Sequence, residues 1–381
     1  MRKWWLVVGM VVGTAAPVGA QSLDLGVAGT GVSLGSSARW NGLRVNWRDV
    51  GVQRVRGINV SLWRPGGNPD FAMSGIALGL VGPEVGTLRG LGVGLGGVVA
   101  EGRTTGIVIG GLGAVSGGDM DGLHLAGLGV VAEGRMRGLN VAGLGAVAEG
   151  GMVGLNLAGL GVVSEGSMLG VNVAGLGVVS EGGMVGLNVA GLGAVTEGNM
   201  IGLNVAGLGT VAEGNMVGVN VAGLGTVSEG DMRWISAAGL GAVTEGRMQG
   251  LGLAGLGVVA EGGLDGIFLA GAGVVGEDHV TGAALTLGAV ESTGRIRGIA
   301  AGGYRVRAPE LSGIMASVIQ TRATDFNGVA VAGYNEVLGT QRGLAIGLYN
   351  RATELRGLQV GLLNRADNAA VRYLPVLNFA R

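Results

Sequence analysis

From Arg89 to Val280 the chain repeats itself every 16 residues, twelve times in succession and without an insertion. A repeat this short cannot bury a core alone, so whatever it folds into must be assembled by stacking copies on one another. A typical unit, Val153 to Met168, reads VGLNLAGLGVVSEGSM. With columns counted from that Val, the third (Leu155) is Leu, Ile or Val throughout, and the fifth (Leu157) is always apolar. The eleventh (Val163) is Val in all twelve units, and the sixteenth is Met in nine consecutive units, Met120 to Met248. Looser copies extend the array on both sides, at Asn41-Gly42-Leu43, Arg56-Gly57-Ile58 and Ser74-Gly75-Ile76 before it and from Thr281-Gly282 to Arg356-Gly357 after it. About 21 units then fill most of the chain, as one continuous domain.

Each unit holds several of the chain's 85 Gly. A Gly costs about 1 kcal/mol against Ala inside a helix, which removes helical hairpins. Strands and tight turns remain. The third and fifth columns alternate with Asn156 and Ala158, the period of a half-buried strand, and a second short strand runs through Val162 and Val163 to Glu165-Gly166. Gly159 and Gly161 bracket Leu160 at an expected corner with positive φ. On this reading Leu155, Leu157, Leu160, Val163 and Met168 fill the interior.

Two architectures satisfy this pattern. The expected one is all-β, a parallel β-solenoid with coils of about 16 residues, each residue stacked on its own copy one strand spacing away. The alternative is an antiparallel β-meander closed into an outer-membrane barrel, whose two rims would make the turns differ with a period of 32 and whose wall would carry aromatic girdles. The turns show no such period, and aromatics are nearly absent from the array, with Trp234 and Phe268 isolated. One column favours the barrel: Glu stands at position 13 in eleven of twelve units, and stacked carboxylates about 4.8 Å apart repel by about 0.9 kcal/mol even in water.

The first twenty residues have the order of a secretory leader: Arg2 and Lys3, an apolar run from Trp4 to Val12, then Val18-Gly19-Ala20. The expected organisation is therefore a signal peptide at 1–20, an N-terminal cap at 21–41, the Gly-rich array at 42–372 with its regular part at 89–280, and a C-terminal cap at 373–381. A net charge of −1 gives no electrostatic reason to bind nucleic acid, and the absence of Cys removes disulfide and thiol chemistry.

The segments Arg342-Gly343-Leu344-Ala345-Ile346-Gly347-Leu348-Tyr349-Asn350 and Arg356-Gly357-Leu358-Gln359-Val360-Gly361-Leu362-Leu363-Asn364, followed by Leu374-Pro375-Val376-Leu377-Asn378-Phe379, resemble the GLQxGLxN surface repeats of bacterial envelope proteins, the leptospiral type. The close match covers roughly residues 327 to 381. The resemblance implies a surface-exposed or outer-membrane-associated protein with no established catalytic activity, and it transfers no functional residues.

The expected function is an exported, non-enzymatic structural or adhesive element of the envelope, at the cell surface or outer membrane, with periplasm or secretion as the alternatives. A membrane barrel or pore and a carbohydrate-binding β-helix are the other classes. No catalytic residues or cofactor are assigned, and envelope components or host surface polymers are the expected partner class. The row Glu133, Glu149, Glu165, Glu181, Glu197, Glu213, Glu229, Glu245 and Glu261 is the candidate for a hard cation such as Ca²⁺, weighed against solvated turn residues. Asn140, Asn156, Asn172, Asn188, Asn204 and Asn220 suggest an amide ladder that fixes register, and the Met column suggests core rather than a soft-metal path. His124 and His279 read as stray surface substitutions. Gly92-x-Gly94-x-x-Gly97 fits a dinucleotide fingerprint by chance, with no helix following it. The least repetitive stretch, Tyr304 to Asp325, reads as a register-breaking loop and binding candidate through Arg305, Arg307, Glu310, Arg322 and Asp325, weighed against a simple insertion or distortion of the coil.

Overall fold

Within one repeat, the alternation of outward and inward side chains produces a strand of 7 residues, Met152–Ala158, and one of 4, Gly161–Ser164. The computed structural model describes residues 22–380, so the expected leader lies outside the described residues. These residues are all-β and form two compact units, divided between Gly110 and Gly111.

In the second unit each strand pairs in parallel with its copy one coil later. Met152 faces Met168, Asn156 faces Asn172, and Gly161 faces Gly177. Every residue thus sits over its own equivalent at the strand spacing of about 4.8 Å, which is a parallel β-solenoid. An antiparallel meander would instead pair neighbouring copies head to tail. The coils shorten beyond Gly294, where Glu310 faces Asp325 and Gln320 faces Tyr334, yet the ladder continues. At the end of the unit Tyr373–Ala380 returns antiparallel along Gly357–Arg365.

The first unit repeats this plan with less regular spacing. Gly42, Gly57, Gly75, Gly90 and Gly106 are in register along parallel strands, and Ser22–Val27 is antiparallel to Thr30–Gly35 at its start. Its interior holds a charged pair that the sequence reading missed. Arg44 and Asp49, both fully buried, form an ion pair. Asn46 and Asn59 donate to the Asp49 carboxylate at 2.8 and 3.0 Å, and Ser61 donates to it as well. These donors replace the hydration of the Asp49 carboxylate, while Arg44 Nε and Nη2 find no partner among the described residues. Arg44 occupies the fourth column, facing Asn59, so a charge in an inward column was the available signal.

The interior of the second unit is the reverse of the expected one. Of the five residues expected inside, only Met168 is fully buried; Leu160 is 46% exposed, Val163 is 38% exposed, and Leu155 and Leu157 are half-buried. Asn156, Val162 and Ser164 take the buried places. The period of two is as read, but the opposite face points inward, and a shift of one residue exchanges the two faces of a strand. A coil of 7- and 4-residue strands encloses a thin space. One long Met per coil and the small tenth and twelfth columns fill it, whereas rows of Leu on both strands would overpack it.

The buried Asn side chains of the repeat hydrogen-bond to one another, the chain of amides ending at Asn220, whose Nδ2 finds no partner among the described residues. Each amide donates to the next Oδ1, from Asn140 through Asn156, Asn172, Asn188 and Asn204 to Asn220, at 2.8 to 2.9 Å. A second ladder joins Asn335, Asn350 and Asn364 at 2.7 Å per step. The Asn residues of the GLxN-like segments are therefore internal. His124 is also internal, against expectation: it lies in the Asn column, fully buried, and opens the first ladder against Asn140. His279 is buried too, with Nε2 3.1 Å from Asp265 Oδ1 and Nδ1 2.9 Å from Asp278 Oδ2.

Positive φ is needed in the second column, not at the expected corner. Gly154 has φ 118°, inside the long strand, while Gly159 and Gly161 are outside the left-handed region. Gly159 is required for closeness: a Cβ there would stand 2.0 Å from the Gly143 carbonyl oxygen.

Candidate interaction surface

Because the ladder is in register, each outward column of the second unit is a straight row. The corner row Leu128, Leu144, Leu160, Leu176, Leu192, Leu208, Leu224, Leu240 and Leu256 is about half exposed at every step. On the long strand, Val153, Leu169, Val185 and Ile201 are exposed beside the half-buried third and fifth columns. This ribbon exceeds the scattered apolar exposure of an ordinary soluble surface and is of the kind that marks contact sites.

The nine Glu of the cation candidate are all exposed on the turn after the short strand. Their backbones are held by the ladder, as when Glu149 N–H donates to Ala132 O at 3.1 Å. Among the described residues no group of three or more His, Cys, Asp or Glu is arranged to hold a metal. Each coil contributes one Glu to this row, and that Glu is exposed.

The Tyr304–Asp325 stretch breaks sequence pattern without breaking the ladder. Arg305–Arg307, Glu310–Ser317 and Gln320–Ala323 are strands in parallel register with their neighbours. The ladder is kept, so the stretch is a distortion of the coil rather than a register-breaking loop: one residue is lost from a turn, and the strands absorb the rest. Arg305 pairs with Glu291 and lies over the Tyr304 ring at 5.6 Å. Arg322 reaches Glu336 at 3.4 Å. Arg307 and Arg322 line a cleft of about 500 Å³, whereas Glu310 and Asp325 line a separate one of about 360 Å³. Four of the five candidates therefore divide between two separate clefts, and Arg305 lines neither.

One surface residue was underread. Among the described coils of the second unit, the second column is Gly from Gly122 to Gly218 and again from Gly250 to Gly357, but Trp234 stands between. Its φ of 90° lies where side chains are strained, and it is 69% exposed. Beside it the first column changes from Val217 to Arg233 and Gln249. Arg233 is held by Asp231 at 2.9 Å, and the Asp231 carboxylate, which accepts the Arg247 backbone N–H at 2.9 Å, is pushed below its usual acidity range chiefly by that hydrogen bond. The missed signal was a lone bulky residue in a Gly column.

No protein-family model, no curated protein and no solved structure matches this chain.

Proposed function

We propose that the protein is an exported, non-enzymatic repeat element of a bacterial envelope, structural or adhesive in role. The observation that carries this reading is the pairing of an interior Asn ladder with exposed apolar rows in register. The Asn ladder holds register from within, while the Leu rows repeat one contact at every coil. Repetition of a weak contact along a stiff surface raises avidity without any single tight site. The leader-like residues 1–20 and the GLQxGLxN-like segments support export and an envelope setting.

Fractionation of the producing cell tests the proposal. The protein is expected in the envelope or outside the cell, shortened at its N-terminus by the leader, and accessible to added protease on intact cells. Full-length protein confined to the cytosol overturns it.

A further inference from the structure

We propose that Trp234 is the stacking platform of a glycan-binding site on the long-strand face. The argument begins with strain. Every neighbouring coil places Gly at this position with positive φ, and a bulky side chain held at φ 90° costs stability that Gly would not. The strained residue is not buried to fill a cavity; it is exposed, so packing does not offset the cost. Strain kept at an exposed aromatic points to recognition.

The surroundings select the ligand. Gly218 and Gly250 flank the indole in register and leave the sheet bare on both sides. The electron-rich face of an indole attracts the polarised C–H face of a pyranose ring. Arg233 precedes it in the same strand, Gln249 is the register partner of Arg233 one coil on, and Asp231 is ion-paired to Arg233, so a carboxylate, a guanidinium and an amide lie along the adjacent column, and together they accept and donate as sugar hydroxyls do. An apolar protein partner covering these groups would strip their water without replacing it; a glycan replaces it. The site takes a neutral oligosaccharide with at least one exposed pyranose face.

This inference rests on the adhesive reading, but the two fail separately: fractionation decides export, and titration decides the site. Neutral gluco-oligosaccharide and N-acetylhexosamine oligosaccharide are titrated calorimetrically into the full chain and into Trp234→Gly and Trp234→Phe. At least one oligosaccharide is expected to bind the parent. Trp234→Gly is expected to weaken it by about tenfold or more while raising the melting temperature by a few degrees, and Trp234→Phe to retain part of the affinity. Loss of binding with a gain in stability separates recognition from a folding role. The proposal is overturned if neither sugar binds the parent, if Trp234→Gly binds as well as the parent, or if the ring instead drives self-association that Trp234→Gly abolishes.

Discussion

His124 Nδ1 lies 2.7 Å from Asn140 Oδ1, and this contact sets the protonation of the imidazole. Asn140 spends its amide on Asn156, so its oxygen must accept. His124 therefore donates from Nδ1, and its buried Nε2, which has no partner among the described residues, is the unprotonated nitrogen.

Stability should fall in mild acid through this residue. Burial is the largest cause holding the His124 pKa below its usual 6.5. The unfolded chain takes up a proton as pH drops through about 6.5, while the folded chain resists until the lower folded value. Full stability is thus present above pH 6.5, is lost progressively below it, and the loss levels off under the folded pKa. His124→Asn should lengthen the ladder by one amide and remove this component. Melting temperatures from pH 7.5 to 5 should drop more steeply for the parent than for the variant; parallel curves would refute the assignment.

The ladder should break at any rung. Asn188 accepts from Asn172 and donates to Asn204. Asn188→Ala strands one donor and one acceptor away from water, at about 1–3 kcal/mol each. A loss of about 2–6 kcal/mol is expected by denaturant unfolding, with amide exchange accelerated in the adjoining coils. A loss under 1 kcal/mol would mean that water or neighbouring hydroxyls take over the rung.

The period, the stacking and the solenoid were legible because they depend only on which residues recur at a spacing of 16. The inward face was not. Counting Leu and Val as interior assumes that apolar residues go inside, but that rule does not run backwards: folded surfaces keep much apolar area. The deciding facts were the volume of the coil and the ability of Asn156 and its copies to satisfy one another, and both belong to the stack rather than to any single unit. The same blindness hid His124, whose burial follows from sharing a column with Asn140. At the surface, Arg305 and Arg307 were readable as charged but not as strand residues, because a lost turn residue and a lost strand look alike in sequence.

Two substitutions should show which face is the core. Met168 is fully buried and Leu160 is nearly half exposed. Met168→Ala should cost about 2–5 kcal/mol through the cavity it leaves, and Leu160→Ala should stay within about 0.5 kcal/mol. Denaturation midpoints at unchanged slope would report both. Reversal of the order would restore the interior expected from hydropathy.

Two glycines two residues apart should behave oppositely. A Cβ on Gly159 would meet the Gly143 carbonyl oxygen at 2.0 Å, a backbone atom that cannot turn aside, whereas one on Gly161 would find its nearest atom, the Gly177 oxygen, at 3.7 Å. Gly159→Ala must separate two coils to fit, and it should lose about 1–3 kcal/mol or more. Gly161→Ala enters ordinary contact distance at a position without positive φ, and it restricts the unfolded chain, so it should be neutral or stabilise by about 0.4–1 kcal/mol. The chain already tolerates the larger residue in that column, where Ala289 faces Gly273. Thermal unfolding of the two variants beside the parent tests the pair. Equal destabilisation would show that flexibility, rather than the approach of one coil to the next, is what these glycines supply.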